Sequence, residues 1–211
     1  MYKCAECTLH GCKSHDMTKT MKDCPSKNDK IQNKAKELYK DEENHRIAYN
    51  AALVEAEGYG RLTRMEEIML FLNKAVYKKI GLIFCVGLSN EAKEVSKILT
   101  YNGFEVVSIV CKNGDVPKSF MGIKDENTVS GCVMETMCNP IGQALLMNEQ
   151  KTEFNILLGL CVGHDTLVLK YLEKPATVLA VKDRVTGHNP LAAIYMAEGY
   201  YKKRFFKEKS K

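Results

Sequence analysis

The stretch KIGLIFCVGLSNEAKEVSKILTYNGFEVVSIVCK, residues 79–112, decides the fold. It opens and closes with short apolar runs, KIGLIFC and EVVSIVC, of the composition typical of strands. The segment between them has the character of a helix, with Ser89 at its N-cap and Gly103 just past its end. A strand, a helix and a second strand in this order indicate two parallel strands joined by a crossover helix.

The same alternation continues along the rest of the chain. Two further predicted helices, NPIGQALLMNEQ and DTLVLKYLEK, alternate with two further predicted strands, FNILLGLC and ATVLAVKD. The strands are continuous apolar runs, which indicates burial on both faces of a sheet. We therefore predict an α/β domain over residues 79–211, with a parallel sheet, helices on both faces and a flavodoxin- or Rossmann-like arrangement.

Two segments are predicted to precede this domain. Residues 29–78 are rich in helix-forming residues, and we expect one long amphipathic helix over 29–57 and a second one capped by Thr63. Residues 1–28 are polar and rich in cysteine. The predicted organisation is therefore a small metal-binding module (1–28), a helical segment (29–78) and the α/β domain (79–211).

Composition sets the cellular context. The chain has 211 residues, a net charge of +5 and nine cysteines. No apolar run reaches the ~18 residues of a membrane span, and residues 1–30 lack the apolar region of a secretion signal, so we expect a cytoplasmic protein. Disulfides are rare in a reducing cytosol, so clustered thiols there indicate metal ligands or catalytic groups.

The N-terminal stretch CAECTLHGCKSHDMTKTMKDCP, residues 4–25, carries four thiols with the spacing C-x2-C-x4-C-x11-C. They are Cys4, Cys7, Cys12 and Cys24. So short a segment rarely folds without a disulfide or a bound metal to stabilise it, and in the cytosol the metal is the available choice. The final Cys-Pro favours a [4Fe–4S] cluster. Zinc is the alternative, and His10 or His15 could then replace one thiolate.

Four more cysteines are predicted at one edge of the sheet. Cys85, Cys111 and Cys161 each end a predicted strand, and Cys138 directly precedes an Asn-Pro helix start. The carboxyl ends of parallel strands border the crevice where open α/β sheets bind ligands. We therefore expect these four thiols to form a second site, such as another iron–sulfur cluster. The alternative is that each is a small buried hydrophobic residue.

Further polar residues are predicted at the same crevice. His164 follows the third strand in CVGHD, and KDRVTGHNP after the last strand contains Lys182, Arg184 and His188. With a reactive thiol such as Cys161, they would suit an enzyme acting on a small anionic substrate. A histidine would be the acid or base, and a cation would hold the anion. No G-x-G-x-x-G or Walker lysine motif is present, so nucleotide binding is not indicated.

Motifs along the whole chain carry a resemblance to a known family. They are the N-terminal cysteine pattern and the segments EAEGYGRLTRMEEI, KKIGLIFCVGL, MCNPIGQA, LLGLCVGHD and VKDRVTGHNPLAA. Together they resemble domain-of-unknown-function family 1847, uncharacterised cysteine-rich proteins mostly of anaerobic bacteria and archaea, usually labelled only as metal-binding. The resemblance implies a cytosolic metal-binding protein without an established reaction, and anaerobic hosts favour iron–sulfur over zinc.

Three functions follow from these observations. The first is redox or electron transfer, with one cluster on the N-terminal thiols and a second in the crevice, and with a redox protein as partner. The second is the crevice enzyme, with a small anionic ligand. The third is a zinc-stapled module that presents its helix to a partner. A charge of +5 without an aromatic stacking motif argues against nucleic acid, and no feature indicates an oligomeric state.

Overall fold

A computed structural model of the chain describes residues 1–131 and 134–207. The chain separates into two compact units, Met1–Arg61 and Leu62–Lys211. The three-part division made from the sequence stays a prediction. Cys132, which the sequence assigns to neither set of thiols, lies outside the described residues.

The first unit is helical after its cysteine-rich start. Its helices are α1 (Asp29–Leu38) and α2 (Glu42–Gly58). The Asp41 side chain accepts a hydrogen bond from the backbone N–H of Asn44 at 3.0 Å and so caps α2. Because this cap starts a new helix, the single helix expected over residues 29–57 is wrong, and two shorter helices form instead.

The second unit alternates helices and strands. In chain order its elements are α3 (Arg64–Lys74), β1 (Lys79–Phe84), α4 (Ser89–Tyr101), β2 (Glu105–Val110), α5 (Pro140–Glu149), β3 (Phe154–Leu160), α6 (His164–Tyr171), β4 (Ala176–Val181), α7 (Pro190–Tyr195) and α8 (Lys202–Phe205). A long connection, residues 111–139, joins β2 to α5. Within the described residues, no helix is both long and apolar enough to cross a membrane.

The four strands form one parallel sheet in the order β2-β1-β3-β4. In register, Ile80 of β1 lies between Val106 of β2 and Phe154 of β3. The predicted α/β fold with a parallel sheet is confirmed. The order of the strands reverses between β1 and β3, and in such sheets ligands bind beyond the carboxyl ends of the strands at that point.

Helices cover both faces of the sheet. Successive strand residues point to opposite faces, so neighbouring residues of one strand belong to different cores. Leu82 belongs to a core that includes Leu72 of α3 and Leu99 of α4. Ile83, the next residue, belongs to a second core with Met147 of α5 and Val168 of α6. The predicted placement of helices on both faces is therefore confirmed.

A glycine ends the regular part of β3. Gly159 has a φ of +66°, and a Cβ there would lie 1.9 Å from the side chain of Leu88. Only glycine adopts this conformation in this space without strain. The pairing of β3 with β4 shifts register on both sides of Leu158, as at a β-bulge. The bulge sets where the chain turns out of the sheet toward Cys161.

Candidate functional site

Three cysteines directly follow three neighbouring strands. Cys85 comes after β1, Cys111 after β2 and Cys161 after β3. The backbone N–H of Cys85 donates to the Leu158 carbonyl at 3.1 Å, and that of Cys111 donates to the Phe84 carbonyl at 2.9 Å. These bonds extend the sheet one residue past its strands, so the backbone at these two thiols is held as firmly as the sheet itself.

The fourth cysteine reaches the same edge through the loop before α5. The N–H of Asn139 donates to the carbonyl of Cys111 at 2.7 Å, and the Asn139 side chain caps α5 by accepting from Gly142 N–H at 2.9 Å. A Cβ on Gly142 would lie 2.5 Å from side-chain atoms of Asn113 and Asn139, so only glycine leaves space for these two side chains. The two hydrogen bonds of Asn139 hold the loop so that the Sγ of Cys138 lies 3.7 Å from the Sγ of Cys111.

The contact changes the ionisation of both thiols. The hydrogen bond with Cys111, together with the positive charge of Lys112, lowers the pKa of Cys138 to about 7. The same hydrogen bond, together with burial, raises the pKa of Cys111. Cys111 is only 2% exposed, which disfavours its charged form. Near neutral pH, Cys138 therefore exists in part as a thiolate while Cys111 keeps its proton.

A buried glutamine supports the strand ends beneath the thiols. The Gln143 side chain donates to the Phe84 carbonyl at 3.1 Å and to the Ile109 carbonyl at 2.8 Å, although no solvent reaches it. It thus bridges β1 and β2 just before Cys85 and Cys111. No motif in the sequence singled out this residue. The signal that could have found it is a lone amide in the otherwise apolar helix sequence PIGQALLM.

The crevice beyond the strand ends is a cavity of about 890 Å³. Among the described residues, the buried Cys111 does not line this cavity, whereas the other residues predicted at the crevice do. They are Cys85, Cys138, Cys161, His164, Lys182, Arg184 and His188. The volume falls within the range of small-molecule sites in proteins. The structure therefore gives the predicted residues a common, ligand-sized space.

The loop after β4 brings a cation to the thiols. The Lys182 N–H continues the sheet by donating to the Leu160 carbonyl at 2.9 Å. Arg184 donates from its guanidinium to the Sγ of Cys161 at 3.5 Å. The N–H of Asp183 donates to Nδ1 of His188 at 3.1 Å, which ties the loop together. Nδ1 of His188 is therefore occupied as an acceptor, and Nε2 is the ring nitrogen left for a ligand.

The connection between β2 and α5 forms another wall of the cavity. Lys118 and Glu135, both mostly buried, form an ion pair across this wall. Glu135 also accepts hydrogen bonds from the side chain and N–H of Ser130. The Lys118 ammonium and these bonds hold the pKa of Glu135 at about 2. The pair joins two distant parts of the connection and keeps both against the crevice.

The N-terminal thiols lie in turns and short 3-10 helices: Cys4 begins the 3-10 helix Cys4–Glu6, and Cys24 directly precedes the 3-10 helix Pro25–Lys27. Cys4 and Cys12 are exposed, and Cys7 and Cys24 are partly buried. The N–H of Cys7 donates to the carbonyl of Cys4 at 3.2 Å, which is the tight turn expected of a C-x2-C pair. Across residues 1–131 and 134–207, no group of three or more Cys, His, Asp or Glu side chains is arranged to hold a metal ion. Metal binding at either set of thiols stays a prediction.

Comparison with known proteins places the chain in a family. Residues 24–179 match the family described as "Protein of unknown function (DUF1847)". The chain belongs to DUF1847. Over 207 residues it is 45% identical to "Uncharacterized protein MJ0455" of Methanocaldococcus jannaschii, covering 98% of this chain and 100% of the relative. No solved structure matches it. The resemblance found in the sequence is confirmed, and the DUF1847 match contains all four crevice cysteines.

Proposed function

We propose that this DUF1847 protein binds a metal through its crevice thiols and uses it in redox chemistry or electron transfer. The 3.7 Å between the Sγ atoms of Cys111 and Cys138 carries this proposal. Two thiolates bound tetrahedrally to one ion, with bonds of about 2.3 Å, lie about 3.8 Å apart. The pair therefore has the separation of two ligands that share one ion.

The surrounding residues fit a soft metal. Cys85 and Cys161 line the same cavity and supply the two further thiols of a four-cysteine site. All-thiolate sites select zinc or iron–sulfur centres. A pair this close suits zinc, or a centre in which one iron takes two thiolates, better than a [4Fe–4S] cluster with one thiolate on each iron. Only the iron centre would supply the one-electron chemistry of this proposal, because zinc is not redox-active. The nearby Lys112 and Arg184 would offset the thiolate charge.

The N-terminal thiols are the proposed second centre, a [4Fe–4S] cluster or zinc. Its support is the cysteine spacing and the C-x2-C turn, not a preassembled set of ligands. The proposed ligands are Cys4, Cys7, Cys12 and Cys24.

Metal content tests the proposal. Full-length protein is purified without oxygen, and iron, zinc and acid-labile sulfide are measured in the wild type and in three variants. Cys111→Ser with Cys138→Ser is expected to remove the crevice share of the metal, and Cys4→Ser with Cys7→Ser the N-terminal share. Cys132→Ser, which changes a cysteine that belongs to neither proposed ligand set, serves as the control and is expected to keep both. Full metal content in the Cys111 and Cys138 double variant would contradict the crevice site.

The same contact favours a second candidate function, a dithiol redox pair. The Cys138 thiolate would attack an external disulfide and release one of its sulfurs as a thiol. Cys111 would then lose its proton, displace the second sulfur and close a Cys111–Cys138 disulfide. The pair loses two electrons and two protons, and the external disulfide becomes two thiols. Metal-free wild type treated with oxidised glutathione would then lose two hydrogens in mass, and Cys138→Ser would not.

A further inference from the structure

Cationic side chains line the crevice. Lys112, Lys182 and Arg184 are among them. Within the part of the chain that the structure describes, none of the three forms an ion pair. The two carboxylates of the cavity are engaged elsewhere, because Glu135 pairs with Lys118 and Asp183 accepts hydrogen bonds within its own loop. Apart from the thiols, the charged side chains that line the cavity therefore sum to a net positive charge.

These cations stand close to the thiols. A Cβ built on Gly87 would lie 3.4 Å from Nζ of Lys182 and 3.9 Å from Sγ of Cys85, so ammonium and thiol face the same small space. Arg184 uses a guanidinium nitrogen on Cys161 at 3.5 Å, and a guanidinium has five N–H groups in all. Its remaining N–H groups can bind a further acceptor at the edge of the thiol cluster.

The rest of the cavity wall is mainly apolar. Met137, Ile141 and Leu167 line it, and the β2–α5 connection adds Met121 and Val129. Met121 is 62% exposed and Val129 is 94% exposed. Ligand sites in proteins typically combine such apolar walls with a few convergent polar groups. The walls therefore suit the carbon skeleton of a ligand, and the cations suit its charged end.

We propose that the crevice binds an organic anion, with its carboxylate or phosphate on Lys182 and Arg184 and its apolar part against Met137, Ile141 and Leu167. The inference goes beyond metal binding, because it assigns a second ligand to different side chains of the same cavity. It places that ligand beside the thiols, where a thiol or a thiol-bound metal can act on it.

Fluorescence titration of the full-length protein tests the inference. The probe is anilinonaphthalene sulfonate, which joins an anionic group to an apolar body. Phenylnaphthylamine, the same ring system without the charge, is the matched ligand. In Lys182→Gln with Arg184→Gln we expect the sulfonate to bind about tenfold more weakly, because two charge-assisted contacts are lost. The uncharged probe is expected to bind as in the wild type, which also shows that the cavity is intact.

Two further variants sharpen the test. Lys93→Gln with Lys97→Gln removes the same charge from the exposed face of α4 and is expected to leave both titrations unchanged. Gly87→Ala keeps every charge but fills the space between Lys182 and Cys85, and we expect it to weaken sulfonate binding. Equal affinity of the sulfonate for the wild type and the crevice double variant would overturn the inference, as would an equal loss in the α4 control.

Competition identifies the anionic group. The competitors are phenyl phosphate and benzoate. Both have a phenyl ring, which carries a phosphate group in the first and a carboxylate in the second. Displacement of the sulfonate by either one supports the inference and names the group, and displacement by neither contradicts it. Metal content is measured on the same samples before and after treatment with a chelator. Loss of metal and loss of anion binding are therefore separate results, and failure of one leaves the other standing.

Discussion

Cys138 owes its ionisation to one neighbour in particular. Its hydrogen bond with Cys111 favours the thiolate and outweighs the opposing effects of burial and of the nearby Cys85 and Cys161. Lys112 acts in the same direction as the hydrogen bond. A thiolate is the form of cysteine that binds metals and attacks electrophiles. We therefore expect Cys138 to be the most reactive thiol of the crevice, and the sequence-based choice of Cys161 stays an untested prediction.

In the metal-free protein, the rate at which Cys138 is alkylated should depend on pH in the same way as the ionisation of its thiol. Because the pKa of Cys138 is lowered to about 7, we expect its reaction with iodoacetamide to reach half of its maximal rate near pH 7. Cys111→Ala removes the hydrogen bond and should move the midpoint up toward the ordinary value of about 8.5. Peptide mass spectrometry over a series of pH values measures both. Lys112→Gln should raise the midpoint by less, and an unchanged midpoint in Cys111→Ala would refute this account of the pair.

At the scale of elements, α5 fixes the edge of the sheet. Its first turn is capped by Asn139, and its Gln143 bonds the ends of β1 and β2. Gln143→Met keeps a similar volume and removes both bonds. We expect the free energy of unfolding to fall by about 1–3 kcal/mol, because the Ile109 carbonyl loses the Gln143 N–H and the Phe84 carbonyl keeps only the N–H of Cys111. Urea unfolding measures this, and Gln150→Met on the exposed end of α5 should change it little.

The ion pair between Lys118 and Glu135 gives the cavity wall a pH dependence. The pKa of Glu135 is lowered to about 2 in the folded chain, so its stabilising effect is present above the unfolded value near 4.5. That effect is lost as the pH falls from about 4.5 to about 2. The protection of amides in the β2–α5 connection, measured as their exchange rate relative to the intrinsic rate at each pH, should fall over this range. Glu135→Gln should show the lower protection already at pH 7, whereas Glu126→Gln in the same connection should not.

At the scale of the whole molecule, the second unit contains everything that forms the crevice. Both hydrophobic cores and the whole sheet lie within residues 62–211. We expect these residues, produced alone, to unfold in one cooperative transition and to retain the crevice share of the metal. Thermal unfolding followed by circular dichroism, with metal analysis of the same sample, provides the check. A gradual transition, or complete loss of metal, would contradict it.

Much of this architecture could be predicted from the sequence, for identifiable reasons. Strands buried on both faces are continuous apolar runs, so the sequence alone predicts β1 and β3. It therefore also predicts that Cys85 and Cys161 directly follow these strands. Parallel strands end at one edge of the sheet, which explains why Cys85, Cys111 and Cys161 could be assigned to a common region. The proline after Asn139 marks the start of α5 in the same way.

The remaining features depend on contacts between distant parts of the chain. Gln143 binds backbone carbonyls of two strands, and no local pattern names its partners. The contact of Cys138 with Cys111 depends on the backbone bond from Asn139, which only the folded connection creates. The break between α1 and α2 depends on Asp41, an ordinary surface residue in a helical sequence. Such features follow from tertiary structure and not from periodicity.

The central claim is that Cys111 and Cys138 hold one metal ion between them. Crystals of the full-length protein grown without oxygen, with diffraction data at the iron and zinc absorption edges, test it most directly. We predict an anomalous peak beyond the ends of β1 and β2, about 2.3 Å from each of the two Sγ atoms. A clear map with peaks only at the N-terminal cysteines, or with none, would contradict the claim.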